Sequence, residues 1–507
     1  MADKPRCHRM ELRASTRWKT MSFGRLPVEI RFMILEMIVQ QRYPGWASFA
    51  SVCKEWQHFI EKRNFCRLKL SVSCLNDFQR LVVRQRDLVR HILLDIQLPT
   101  YTCQKCIGPR WPTNRRPSIG FFISGGIRRL FCILDTWKTT DGLTLELGAH
   151  SPSDSKHWFR NYLASDKEDF TAAKTEYSLH DPLHGWSHGQ QVNYPPERVI
   201  RRLFSSPNLF FPDERVPPEV KAVKCLTIRR EMRRSLPPLS LGLILSKLPR
   251  LENLIFEPWR MWDPHSRVTN DKHMAQVITK QFPQSLKRVS IFEDFSDHLT
   301  TAMVNVNTIP FWPSPVETYR VTGHQLASAF AIQSRDLEHL SVAYMIDADD
   351  FFQSANRKSV WENLQSLALT SKLLRPTASR KEIDSLLHKA GTVALRMLRL
   401  HTLVIWDGIK GNACAFIFHV NGEGAQITWR STWEMELSSR VVKAWEGVTS
   451  QRHLRALRVD NQEIHELIES HGDAIYHLDL PCQVVSPASL GQIRREGRFG
   501  VVASSDG

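Results

Sequence analysis

Through the second half of the chain, apolar residues return as L-x-x-L-x-L, with other apolar side chains admitted at the leucine positions. The pattern appears at Val223/Leu226/Ile228, Leu251/Leu254/Phe256, Leu286/Val289/Ile291 and Leu337/Leu340/Val342. It continues at Leu364/Leu367/Leu369, Leu400/Leu403/Ile405 and Leu454/Leu457/Val459, the starts lying 27 to 54 residues apart. Each match predicts a short strand whose apolar side chains point one way. Helical stripes fall between several of them, such as Ile383, Leu386, Leu387, Ala390, Ala394 and Met397. One strand and one helix cannot bury an apolar face alone, so neighbouring units are expected to stack and share a core.

The first half is less regular. Phe65–Leu70 and Val89–Ile96 read as strands, with a helix-like stretch around Leu75–Val83 between them. Residues 99–120 are loop-like, with Pro99, Pro109, Pro112 and Pro117. Ile123, Ile127, Leu130, Phe131 and Leu134 then have helical spacing, and Leu143–Leu147 alternates like a strand. Residues 148–200 are polar, rich in His and Trp, and without period, which predicts a long surface insertion. Its Trp158, Trp186, His184 and His188 are read either as partner anchors or as side chains packed onto the repeat scaffold. Near the end, Asn421-Gly422 between the apolar runs Ala415–Val420 and Ala425–Trp429 signals a hairpin. Residues 482–507 are expected to form a tail.

A different pattern occupies residues 23–60. After Leu26-Pro27, the residues Ile30, Met33, Ile34, Met37 and Ile38 mark one helical face. Pro44-Gly45 breaks the chain, and a second stripe follows at Phe49, Val52, Cys53, Trp56, Phe59 and Ile60. Two or three helices this short bury little core of their own, which points to docking onto something else. The stretch resembles an F-box, whose pattern is Leu-Pro-x-Glu-Ile, an Ile-Leu pair, then Val-Cys-Lys-x-Trp. Here these positions are Leu26, Pro27, Glu29, Ile30, Ile34, Leu35, Val52, Cys53, Lys54 and Trp56. The resemblance implies binding to the Skp-type adaptor of a cullin–RING ubiquitin ligase. At Gln40-Gln41-Arg42-Tyr43 the chain departs from the acidic or polar stretch usual there.

The L-x-x-L-x-L units in turn resemble an irregular leucine-rich repeat, although most lack the repeat's usual Asn. The expected fold class is therefore α/β: a small N-terminal helical F-box followed by an irregular leucine-rich-repeat-like solenoid. A compact α/β domain with a parallel sheet is the alternative. The expected organisation is a basic tail (1–21), the F-box (22–64), first repeat-like elements (65–147), the insertion (148–200), the repeat domain (201–481) and the tail (482–507). Leu400–Gly408, Ile427–Trp433 and Val441–Trp445 resemble the C-terminal region of filamentous-fungal F-box-like proteins, a domain of unknown function. Trp406, Trp429, Trp433 and Trp445 are its aromatic anchors, expected in the core.

Composition narrows this picture. At 507 residues the chain has room for two or three domains, and 42% hydrophobic content is globular. The lack of an 18-residue apolar run predicts no membrane span. No secretory core is evident near the start, so a cytoplasmic or nuclear location is expected. Ten scattered cysteines read as reduced thiols. The net charge of +16 favours acidic partners without identifying one. Its local concentrations are the tail, with Lys4, Arg6, Arg9, Arg13, Arg17 and Lys19, and Arg229-Arg230 with Arg233-Arg234, expected on a solvated face.

Catalytic chemistry is not evident: no phosphate loop, H-E-x-x-H or G-x-S-x-G elbow occurs. Asp347, Asp349 and Asp350 read as a solvated strand-end turn rather than a calcium loop. His465 and His471 are wrongly spaced to share a metal. Cys103-x-x-Cys106 stands alone, and His184 and His188 are far from any finger spacing, so neither metal nor cofactor is expected. The expected function is non-enzymatic: a substrate receptor that holds the adaptor through its F-box and a target protein through its repeats. The alternative is an F-box-bearing scaffold or nucleic-acid-associated protein without ubiquitin transfer, nucleic acid being the less favoured partner.

Overall fold

The computed structural model describes residues 23–41, 45–103, 118–137, 142–160, 180–212, 216–261, 264–296, 299, 324–356, 359–422, 424–454 and 456–498. The basic tail and Cys106 lie outside them. The chain divides into two compact units, the first ending at Cys66 and the second beginning at Arg67.

The first unit is helical. Pro27 directly precedes the helix Val28–Gln40, where its missing N–H costs nothing. Gly45, at φ 85°, then turns the chain into a 3₁₀ segment, Trp46–Ser51, in a conformation that glycine adopts without a Cβ penalty. The helix Lys54–Cys66 follows and runs past the expected boundary, so Phe65 and Cys66 are helical and the first strand starts at Arg67.

The second unit is built on one twelve-stranded, mostly parallel sheet. Its strands are β1 (Arg67–Ser71), β2 (His91–Gln97), β3 (Leu143–His150), β6 (Val223–Ile228), β7 (Asn253–Phe256), β8 (Arg288–Phe292), β9 (His339–Ala343), β10 (Ser366–Thr370), β11 (Thr402–Ile409), β12 (Asn412–Asn421), β13 (Gly424–Ser431) and β14 (Leu457–Glu463). They lie side by side in chain order, β12 alone running antiparallel to its neighbours; β4 (Trp186–Ser187) and β5 (Gln190–Gln191) pair separately. The expected Asn421-Gly422 turn joins β12 to β13, with Gly422 at φ 59°.

All seven L-x-x-L-x-L matches reach a strand, and the register explains the pattern. Leu68, Ile92, Leu145, Leu226, Leu254, Val289, Leu340, Leu367 and Leu403 are successive partners across nine strands. The middle leucine of each match thus meets its counterpart in the next. The first six matches are buried throughout. The seventh is not: Val459 is 42% exposed, because β14 is the sheet's last strand. Helices link the parallel strands and pack in sequence: Pro238–Leu245 on Pro264–Gln281, then His324–Gln333, Ala348–Ser354, Arg380–Ala394 and Ser439–Gln451. Phe416 and Phe418 meet Trp445 of the last helix at 5.2 and 4.8 Å. Trp406, Trp429 and Trp445 are buried as expected, while Trp433 is half-buried.

Four expectations need correction. The C-terminal segment is no tail up to residue 498. Helices His471–Leu478 and Pro487–Arg498 bring Ala474, Ile475, Leu478 and Ile493 onto Ala368, Val404, Trp406 and Ala415, covering the sheet face opposite the helix row. Cover on both faces is why β11 and β12 are apolar nearly throughout. The described part of 148–200 is not a surface insertion either. β3 extends to His150, Trp158 and Trp186 are buried, Trp158 against the His184 ring, and residues 197–203 form a helix. The four arginines of 229–234 are buried, not solvated: Arg229 pairs with Glu146, Arg230 with Asp294 and Glu496, and Arg234 with Asp154. Those carboxylates are 64 to 266 residues away, so no local charge pattern announces them. Asp347, finally, caps the helix Ala348–Ser354 by accepting from the Asp349 N–H, and burial raises its carboxyl.

Candidate functional site

Three surfaces carry chemistry. The first is on the N-terminal unit, where the helix Val28–Gln40 is apolar on nearly all sides. A helix of that kind needs cover all round, yet within this unit only Leu35 and Ile60 are buried among the described residues. Val28, Ile30, Phe32, Met33, Met37, Phe49 and Val52 stay exposed, Met33 and Met37 at about 60%. Trp56 is half-buried, with Phe23 at 5.4 Å and Phe49 at 6.0 Å. Ion pairs Arg31–Glu55, at 2.6 Å, and Arg63–Glu36 tie the two helices together. The adaptor-binding residues expected from sequence therefore divide. Pro27, Glu29, Ile30, Val52 and Cys53 are exposed; Leu26, Ile34 and Trp56 are half-buried; Leu35 is internal.

The second surface is the polar face of the sheet, away from the ladder of leucines. Along β1–β8 it carries Lys69, Asp95, Thr144, Glu146, Thr227 and Ser290, of which Glu146 and Thr227 are buried. Lys69 and His150 pair with Asp95 at 3.4 and 2.7 Å, and His91 with Glu146 at 3.0 Å. Burial alone would raise the Asp95 and Glu146 carboxyls; these partners, with Arg229 on Glu146, hold both below the usual range. From β8 onward the C-terminal helices cover that face. Arg230 anchors them through Glu496 at 2.5 Å, and Glu257 accepts from the Ser486 N–H at 2.8 Å. Arg230 also lies over the Trp259 ring, 4.5 Å from its centroid.

The third is a buried cluster beside the end of β3. Cys103 Sγ lies 3.5 Å from His157 Nδ1, which lies 3.1 Å from His184 Nε2. His184 turns its Nδ1 to Asp181 at 2.8 Å, and Asp181 is held by Arg160. Tyr101 stacks on His157 at 5.1 Å, Trp158 stands edge-on to His184 at 5.5 Å, and Arg234 and the Tyr101 hydroxyl both reach Asp154. Burial, and then the neighbouring His184, push the His157 pKa down, which favours the neutral ring. Of the residues weighed for zinc, Cys103 and His184 thus meet, whereas His188 is exposed and bonds to Ser187. Sequence reading missed His157, which sits 54 residues from Cys103 with no motif between them. His465 and His471 part company as expected: His465 is exposed near Glu463, and His471 is buried 2.9 Å from Asp294.

Residues 281–486 match a family of unknown function, DUF6546. The match covers less than half the chain, from just before β8 through the helix His471–Leu478. It corresponds to the region clad on both faces of the sheet, and leaves out the N-terminal unit and the Cys–His cluster. No curated protein matches the sequence. Among the described residues, no helix is long and apolar enough to cross a membrane.

Proposed function

We propose that the chain is a substrate-recognition subunit of an SCF-type cullin–RING ubiquitin ligase. The N-terminal unit is its F-box, and the sheet domain an irregular leucine-rich-repeat-like stack. The observation that carries this reading is the exposed apolar face of the first unit, seven large side chains on helices too small to bury them. Contiguous exposed apolar surface of this kind marks interaction sites, and the Leu26-Pro27…Val52-Cys53 pattern names a Skp-type adaptor as the partner. The target-binding surface is the polar face of β1–β7, ahead of the strands that the C-terminal helices cover. The mechanism is proximity: a bound target lysine is held near a ubiquitin-charged enzyme carried by other subunits, which raises its effective concentration.

Binding of the full chain to purified Skp-type adaptor tests the proposal. Leu26→Ala with Pro27→Ala is expected to weaken binding about tenfold or more, as loss of hot-spot contacts does, while the sheet domain keeps its melting behaviour. Unchanged affinity would overturn the F-box reading. Adaptor binding without recovery of a cullin would instead favour a scaffold that transfers no ubiquitin.

A further inference from the structure

We propose that Cys103, His157 and His184 form a binding site for a divalent transition metal of the zinc type. The three donor atoms lie within 4.8 Å of one another. Zinc bonds of about 2.3 Å to sulfur and about 2.0–2.1 Å to nitrogen, spread at tetrahedral angles, place a sulfur and a nitrogen about 3.6 Å apart and two nitrogens about 3.3 Å apart. Two of the three separations, 3.5 Å from Sγ to Nδ1 and 3.1 Å from Nδ1 to Nε2, match those values, and the third lies within 4.8 Å.

The surroundings fit a ligand set as well as the distances do. Two ring nitrogens facing each other at 3.1 Å share at most one proton, and a metal ion satisfies both lone pairs at once. The His184 Nδ1–H is committed to the Asp181 carboxylate, so its Nε2 presents a lone pair to the cluster. That carboxylate–histidine arrangement is how proteins orient a metal-bound imidazole and raise its basicity. Asp181 is fixed in turn by Arg160, and the His157 ring also hydrogen-bonds the Tyr101 main chain. Both histidines are buried, at 6% and 3% exposure, and Cys103 is half-buried. A thiolate with two imidazoles selects zinc, cobalt or copper over magnesium and calcium, which prefer oxygen. Three donors leave one tetrahedral position for water or an incoming group. Cys106 lies outside the described residues and takes no part in the proposal.

The fold gives such a site a purpose. The described segments at 101–103, 151–160 and 180–191 hold little regular structure beyond the short 3₁₀ helices Asp154–Lys156 and Pro182–His184 and the two-residue strands β4 and β5. A metal ion would join all three, and its binding energy would become folding energy for this region.

Chelator-stripped full-length protein, titrated with Co²⁺ and then Zn²⁺, tests the site. One equivalent of Co²⁺ is expected to give a thiolate-to-cobalt charge-transfer band and the visible absorption of a four-coordinate ion, both removed by Zn²⁺. Zn²⁺ alone should raise the melting midpoint. Cys103→Ser should abolish the charge-transfer band, while His188→Ala, at an exposed histidine outside the cluster, should keep it. A folded wild-type protein with neither a thiolate band nor a Zn²⁺-dependent melting shift would overturn the proposal and leave a hydrogen-bonded His–His–Cys cluster. So would a band that survives Cys103→Ser. Because the wild-type titration decides by itself, a Cys103→Ser protein that failed to fold would not rescue the idea.

Discussion

The helix Val28–Gln40 and the strands β6–β11 are about equally apolar in sequence, and they meet opposite fates. Every leucine-position side chain on those strands is buried, because each strand finds the same apolar position on its neighbour. The helix has few neighbours within its own unit, so Met33 and Met37 remain about 60% exposed. The difference teaches that repetition, rather than hydrophobicity, closed the core. A unit that recurs can cover itself with the next copy, whereas a lone helical unit must look to a partner.

The sharpest way to break the comparison is to put a charge into the ladder. Leu367→Asp places a carboxylate between Leu340 and Leu403 with no counter-ion. The cost of several kcal/mol is a large part of a margin of about 5–15 kcal/mol. The expected outcome is loss of the cooperative melting transition of the sheet domain, followed by circular dichroism. Wild-type melting would mean that the register is not what holds the sheet.

A smaller effect is expected where the C-terminal helices clasp the sheet. Arg230→Met leaves Asp294, which is fully buried, with only His471 and the Phe295 N–H as hydrogen-bond partners. Removing one partner of a buried pair costs about 3–5 kcal/mol, to be measured by denaturant titration. Acid should act on the same network. Burial alone would raise the Asp294 carboxyl, but Arg230 and His471 hold it below its ordinary value, and Glu146 and Asp154 are lowered likewise. A carboxyl lowered in the folded state contributes stability that is present above the unfolded value, near about pH 4, and is lost as pH falls below it. Melting midpoints should therefore drop below that pH in wild type and drop less in Arg230→Met. Equal acid sensitivity in the two proteins would locate the lost stability elsewhere.

The smallest effect on stability belongs to the exposed helix. Met37→Glu exchanges two good helix formers on a solvent-facing position, so folding should change by no more than about 0.5 kcal/mol. Under the proposed docking role, adaptor affinity should nevertheless fall. A large loss of stability would show that Met37 is packed, and would erase the contrast with the ladder.

How legible each region was in the sequence follows from the range of the forces involved. The strands at Val223, Leu251, Leu286, Leu337, Leu364 and Leu400 could be read directly, because a period of two and an apolar face are properties of neighbouring residues. The N-terminal helix was legible from Leu26-Pro27 and its stripe, and the Asn421-Gly422 turn from backbone preference alone. The buried arginines, the clasp of Pro487–Arg498 and the meeting of Cys103, His157 and His184 were not. Each depends on partners tens to hundreds of residues away, as with Arg230 and Glu496, 266 residues apart. Charge and hydropathy read along the chain place such side chains in water, since no local neighbour offers a reason to leave it. Only when the sheet sets distant carboxylates around Arg230, and distant ring nitrogens around one point, does burial become the lower free energy. Local stereochemistry and apolar periodicity thus determined the elements and their order, while the long-range pairing of polar groups, which needs coordinates before it has an energy, was decided by the tertiary structure.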